Sequence, residues 1–334
     1  MSLGKTVKLN TGAEIPQLGF GTWQSAPGQV GDAVYEALKA GYRHLDLATI
    51  YQNQQEVAQG IKRAYKDVPG LKREDIFITS KLWNTQHHPN DVEAALDACL
   101  AELELDYLDL YLVHWPVAFK SGNNYFPLVE GSNVEGGDVQ IEDGISIVDT
   151  WKAVTKLPKS KARAVGVSNH SIDHIEALIK ATGVVPAANQ IERHPVLQSL
   201  ELIEYAKQKG IHITAYSAFG NNGFDVPLLI TRPEVKEVAE SASKRLGTEV
   251  TPANVILAWS QVGGHSVIPK SVTPSRIQSN FKEIELTPEE ITKVSKLGES
   301  RRRYNTPYIA NKPRWNIDVF GEPEEAAAEH KVIV

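Results

Sequence analysis

Residues 77–114 read FITSKLWNTQHHPNDVEAALDACLAELELDYLDLYLVH. Phe77 to Ser80 is a short apolar run of strand character. Residues 89–102 repeat apolar side chains at helical spacing, and Leu108 to Val113 is a second strand, apolar on both faces. Such a strand must be covered on both sides, which parallel sheets with outer helices achieve. The stretch is therefore one strand–helix–strand unit. Both of its strands run into a polar residue, Lys81 and His114.

The alternation continues in both directions. Upstream, Asn10-Thr11-Gly12 between residues 7–9 and 13–15 predicts a small hairpin. Leu18 to Gly21 predicts a strand. Val30, Ala33, Val34, Ala37 and Leu38 mark a helix that stops at Gly41. His44 to Asp46 is a strand, and 53–65 a helix. Downstream, helices are expected at 145–156, 171–181, 199–209, 235–246 and 274–280. The strands between them fall at 164–167, 187–191, 211–216 and 266–268.

These make eight strand–helix units. Alternating β and α leaves an open doubly wound sheet or a closed barrel. Eight similar units favour a (β/α)8 TIM barrel. An open dinucleotide-binding sheet would carry G-x-G-x-x-G after a strand. Gly19-Phe20-Gly21 starts that pattern, but Gln24 stands where the third glycine belongs. A barrel needs about 250 residues, and the chain has 334. The expectation is one barrel domain over residues 1–334. The surplus lies in the hairpin, in long loops after the fourth strand (115–144) and the seventh (218–232), and in a tail from 298. Those two loops rise from the C-terminal face, where active sites lie.

Charge narrows the partners. Lys plus Arg number 35 and Asp plus Glu 41, a net charge of −6. An acidic chain has no global pull toward nucleic acid or an anionic membrane. No stretch is long and apolar enough to span one, and the N-terminus lacks a leader's apolar core. Cys99 is the one cysteine, so no internal disulfide is possible, and its apolar neighbours suggest a buried thiol. A reducing, cytoplasmic compartment is expected.

Four polar residues meet at successive strand ends. Asp46 ends the second strand, with Tyr51 five positions on. Lys81 follows Tyr51 by thirty, and His114 follows Lys81 by thirty-three. One βα unit is about that long, so the three strand ends share a rim. Singly, each has a bland reading: a cap, a solvated lysine, a core histidine. Jointly they make a proton donor. A phenol is too weak an acid at neutral pH unless a neighbouring ammonium lowers its pKa. An aspartate holds the ammonium, and a histidine can orient a carbonyl. This is general-acid chemistry for C=O reduction. No hydrolase elbow, phosphate loop or metal-ligand spacing is present.

Gly41-Tyr42-Arg43-His44-Leu45-Asp46 with Tyr51-Gln52-Asn53-Gln54 resembles the first signature of the aldo-keto reductase superfamily. Gly166-Val167-Ser168-Asn169 resembles its central signature. Ile268-Pro269-Lys270-Ser271 with Arg276 and Asn280 resembles the third. The resemblance covers nearly the whole chain. It implies Tyr51 as general acid, Lys81 lowering its pKa, Asp46 pairing Lys81, and His114 aligning the carbonyl. It implies NADPH/NADP as cofactor. Gly21, Thr22 and Trp23 would border it. Ser168, Asn169 and Gln190 would hold the nicotinamide carboxamide and Tyr216 would stack on the ring. Ser217, Phe219 and Gly220 would cover the pyrophosphate. Lys270, Ser271, Val272, Thr273, Arg276 and Asn280 would take the 2′-phosphate and adenine. Arginine's bidentate grip suits phosphate.

The chain departs from the family pattern in places. Ser279 replaces a glutamate that contacts adenine, Gln54 replaces a glutamate, and His170 a phenylalanine. Ala218 to Gly223 lacks the usual proline after Ser217. Trp23, Trp83, Trp115 and Trp315 are candidate substrate-pocket walls. Trp151 and Trp259 are expected to be packing. Tyr125, Phe126, Tyr304 and Tyr308 could close the pocket or anchor loops. Arg301-Arg302-Arg303 reads as a solvated basic turn, with attraction of an acidic substrate as the other reading.

Within the superfamily, Trp23 to Gly28, Val134 to Asp138 and Asn311 to Trp315 resemble fungal NADP-linked glycerol dehydrogenases. That implies glyceraldehyde or dihydroxyacetone reduced reversibly to glycerol by a monomer binding a small carbonyl or polyol. A broad aldehyde, aldose or uronate reductase is the alternative, and an NADPH-binding regulatory subunit a further one.

Overall fold

A computed structural model describes residues 4–220 and 226–334. The N-terminal residues 1–3 and Asn221 to Gly223 of the seventh-strand loop lie outside the described residues. Strands β1 (Thr6–Lys8) and β2 (Glu14–Pro16) form the expected antiparallel hairpin, with Gly12 in the left-handed region at its turn (φ 90).

Eight parallel strands follow: β3 (Phe20–Gly21), β4 (His44–Asp46), β5 (Phe77–Leu82), β6 (Leu108–Val113), β7 (Ala162–Ser168), β8 (Ala188–Glu192), β9 (His212–Tyr216) and β10 (Ser266–Val267). They pair in sequence order. A parallel bridge between Leu18 and Val267 joins last to first. Gly19 N donates to Val267 O at 2.9 Å and Gly21 N to Pro269 O at 2.9 Å, so the sheet closes into a barrel. The seam is tight: a Cβ on Gly19 would lie 2.9 Å from Ile268 Cγ2.

The helices enclose the barrel: α1 (Val30–Ala40), α2 (Gln54–Asp67), α3 (Val92–Leu103), α4 (Ile147–Val154), α5 (Ile172–Thr182), α6 (Leu200–Lys209), α7 (Pro233–Leu246), α8 (Pro252–Gln261) and α9 (Pro274–Asn280). The core forms three layers. Leu110 and Leu112 alternate inward along β6 and pack with Leu9 and Ile15 of the hairpin region, which plug one end. Tyr111 and Val113 point outward to the helices, where Trp151 and Trp259 are buried as packing residues. Cys99 is buried there too. Its Sγ lies 3.3 Å from Gln54 Oε1, and burial pushes the thiol up to about 11. A third cluster of Trp83, Phe119, Val139, Trp315 and Ile317 lies under the long loop and tail.

The tail differs from the expected loop. Helix α10 (Pro288–Ser295) precedes it, and the tail itself contains α11 (Pro307–Ala310) and a parallel pair, β11 (Ile317–Asp318) with β12 (His330–Lys331). Arg301 and Arg302 are exposed, as a solvated basic turn would be, but the run is not without partners. Arg301 grips both oxygens of Glu322 (2.8 and 2.6 Å), and Arg303 Nε reaches Oε1 at 2.9 Å. These hydrogen bonds hold the Glu322 carboxyl down to about 2. The cations fasten the tail to itself. No helix among the described residues is long and apolar enough to cross a membrane.

Candidate active site

β4, β5 and β6 run parallel in adjacent registers, which brings Asp46, Lys81 and His114 to one rim. A short helical turn at Thr49–Tyr51 returns Tyr51 over them. Lys81 is fully buried. Its Nζ donates to Asp46 Oδ1 at 2.7 Å, to Leu47 O at 2.7 Å and to the Tyr51 hydroxyl at 3.4 Å. The phenol oxygen is the acceptor in that last contact, so its own proton remains available to the cleft.

Burial pushes the Tyr51 phenol well above its ordinary value, with Asp46 and Tyr216 adding to the rise. Burial also lowers the Lys81 ammonium, and Asp46 opposes that. Lys81 lies between Asp46 and the phenol oxygen, so its ammonium is within reach of negative charge developing on Tyr51.

His114 is neutral. Burial drives its pKa far below the usual range, helped by Lys81 and His87. Its ring lies 5.4 Å from Trp83 and 6.0 Å from Tyr51, centroid to centroid. Its Nδ1 is buried with no partner among the described residues.

The expected amide cluster assembles at the ends of β7, β8 and β9. Ser168 Oγ donates to Gln190 O at 2.8 Å. Asn169 Nδ2 donates to His114 O at 3.0 Å and to Ser168 Oγ at 3.1 Å. Tyr216 OH donates to Asn169 Oδ1 at 2.6 Å. Asn169 is buried and held in the left-handed region (φ 63). Gln190 has a second role that its spacing does not reveal: Nε2 donates to Asp46 Oδ2 at 2.6 Å.

A cleft of about 810 Å³ runs from these groups across the barrel mouth. Asp46, Tyr51, His114, Ser168, Asn169, Gln190, Tyr216, Ser217, Phe219 and Gly220 line it. Lys270 to Thr273, Arg276, Gly21 and Thr22 also line it, as do Trp23, Trp83, Trp115 and Trp315. Asn280 does not; it is buried at the end of α9. Lys270 Nζ donates to Gln24 O at 2.7 Å, bridging the cleft. No carboxylate among the described residues pairs with Lys270 or Arg276 in the salt bridges present. Amides at one end and unspent cations at the other suit an elongated ligand with a carboxamide and an anionic terminus. A separate concavity of about 730 Å³, lined by Arg232, Lys293 and Lys296, lies away from the four residues.

The aromatic wall is continuous. Trp315 packs 5.2 Å from Trp115, 5.8 Å from Trp83 and 4.8 Å from Phe119. Trp23 is 49% exposed and leans on Tyr51 at 4.8 Å. Of the undecided aromatics, Phe126 lines the cleft, and Tyr125 accepts the Trp83 indole N–H at 2.9 Å through its carbonyl. Tyr308 lies under Arg314, 5.1 Å away, and Tyr304 N donates to Glu192. Asn305, Asn311 and Lys312 also line the cleft. Sequence reasoning missed them because the tail has no periodic signal.

Residues 17–299 match the model of the aldo/keto reductase family. The chain belongs to that family. As an aldo/keto reductase it is an oxidoreductase acting on carbonyl or CH–OH groups of small molecules. The chain is 63% identical over 334 residues to D/L-glyceraldehyde reductase of Hypocrea jecorina, covering 100% of this chain and 99% of that one. It is 41% identical over 319 residues to an NADPH-dependent D-xylose reductase of Meyerozyma guilliermondii, covering 91% and 97%. The solved aldose reductase of Schistosoma japonicum matches with a TM-score of 0.82 at 36% identity, covering 96% of this chain and 98% of that one. These likenesses bear out the barrel and the family.

Proposed function

We propose that this reductase converts glyceraldehyde and dihydroxyacetone to glycerol with NADPH, reversibly. The observation that carries the reading is the Lys81–Tyr51 contact of 3.4 Å at the floor of an aromatic cleft, with Asp46 behind it. The likeness to a glyceraldehyde reductase along the whole chain supports the substrate class.

Tyr51 gives its proton to the carbonyl oxygen, and the adjacent ammonium stabilises the phenolate left behind. Asp46 keeps Lys81 charged and fixed. Neutral His114 orients the carbonyl without adding a competing cation. Ser168, Asn169 and Gln190 hold the carboxamide of the nicotinamide, whose bound reduced ring supplies the hydride. Lys270 and Arg276 take the 2′-phosphate, the feature that separates NADPH from NADH.

The four tryptophans narrow the site, which suits a three-carbon substrate and excludes water from the proton transfer. The test is kcat/KM with NADPH for glyceraldehyde, dihydroxyacetone, xylose, glucuronate and an aromatic aldehyde. A preference for glyceraldehyde or dihydroxyacetone is expected. A preference above tenfold for xylose or the aromatic aldehyde would overturn the glycerol reading in favour of a broad aldose or aldehyde reductase.

A further inference from the structure

The segments 134–138 and 311–315 are distant in the chain and meet at the pocket mouth. Arg314 Nε donates to Asp138 Oδ1 at 2.6 Å and its Nη2 to Oδ2 at 3.0 Å. Such a paired fork fixes direction as well as distance. The backbones join as well. Arg314 N donates to Gly137 O at 3.0 Å, and Val139 N donates to Arg314 O at 2.9 Å. Asp138 is prearranged for this. Ser132 Oγ donates to its Oδ2 at 3.1 Å, and Gly136 and Gly137, both in the left-handed region (φ 84 and 80), turn the chain toward the tail. Lys312 adds a second, exposed pair with Glu135 at 2.9 Å.

The residue after Arg314 is Trp315. It is 2% exposed, it lines the cleft, and its ring touches Trp83, Trp115 and Phe119. With Arg314 held by its side chain and by its backbone on both sides, Trp315 has little freedom to leave that wall. The tail has no barrel strand to fix it there, so the register of the wall depends on this crossing.

We propose that the Asp138–Arg314 pair is a specificity-determining clasp that positions Trp315 as the end wall of the substrate pocket. It favours three-carbon hydroxyaldehydes over bulkier aldehydes. Neither residue is placed at the reacting atoms, so both are positioning residues. The substrate preference rests on the function proposed above; the clasp itself does not.

The experiment compares wild type with Asp138→Asn, Arg314→Ala and the double variant. It measures kcat, KM and their ratio for glyceraldehyde and benzaldehyde, with melting temperature and NADPH Kd alongside. Loss of wall contacts weakens ground and transition states alike, so KM changes more than kcat. The expected result for Arg314→Ala is a glyceraldehyde KM at least tenfold higher, with kcat within threefold. Its glyceraldehyde-to-benzaldehyde ratio of kcat/KM should fall at least tenfold, with NADPH Kd unchanged. The double variant should add little, because one interaction is removed once. Asp138→Asn keeps the side-chain shape and should shift the ratio in the same direction, which covers the case where Arg314→Ala fails to fold.

A ratio within twofold of wild type in the folded variants overturns the clasp, as does an equal fall for both aldehydes. If wild type prefers benzaldehyde, the glycerol reading falls, but a shift of that preference in the variants still upholds the clasp.

Discussion

Asp46 and Gln190 are 144 positions apart in the chain, yet the Gln190 amide donates to Asp46 Oδ2 across 2.6 Å. The other oxygen of Asp46 holds Lys81 at 2.7 Å. One buried carboxylate on β4 thus joins Lys81 of β5 to the amide cluster at the ends of β7 and β8. Any change in how Gln190 is held reaches Lys81 and, through it, Tyr51.

Replacing Gln190 with Leu tests that link. A hydrogen bond to a charged group is worth about 1.5–3 kcal/mol, so kcat should fall about 10- to 100-fold even at saturating NADPH. Steady-state kinetics in NADPH checks it. A rise in the cofactor KM with kcat within twofold of wild type would mean that Gln190 serves the cofactor alone.

The titration shifts predict the pH profile of reduction. Tyr51 is raised, so the donor stays protonated through and beyond the usual tyrosine value of about 10. His114 is lowered, so it stays neutral as pH falls through the usual histidine value of about 6.5. Reductive kcat/KM should therefore lack an acid fall near 6.5 and an alkaline fall below about 10. Oxidation of glycerol needs the phenolate, so its rate should climb with pH. A clear alkaline limb in reduction at or below pH 8.5 would show Lys81 lowering the phenol in the working enzyme.

Arg276 is expected to read the 2′-phosphate. Loss of a charged hydrogen bond of about 1.5–3 kcal/mol should weaken NADPH about 10- to 100-fold in Arg276→Ala, with NADH affected less than threefold. Fluorescence titration with each cofactor measures both constants. Equal weakening would place the 2′-phosphate elsewhere.

The barrel was readable because its repeat is physical. Each strand end recurs about thirty residues on, so Asp46, Lys81 and His114 announce a shared rim from spacing alone. Helix α8 falls outside that rhythm because two helices, α7 and α8, follow β9, and α8 is the one that packs on β10; α10 comes after the last unit. The Gln190–Asp46 bond links side chains across the barrel mouth, and no local pattern encodes it. The Arg301–Glu322 and Arg314–Asp138 pairs join irregular segments, where a charge run looks like any solvated face until its partner is known. The resting pKa of Tyr51 depends on burial that spacing does not report. In each case the residue type was visible, and its partner was not.

The central claim is that Tyr51 is the proton donor. It is tested most directly by single-turnover oxidation of NADPH in the presence of glyceraldehyde, comparing wild type with Tyr51→Phe and measuring NADPH Kd in both. Removing a general acid typically costs about 10²- to 10⁴-fold. A loss in that range is expected, with Kd changed less than twofold. Retention of more than a tenth of the wild-type rate, with the cofactor bound as tightly, would contradict it.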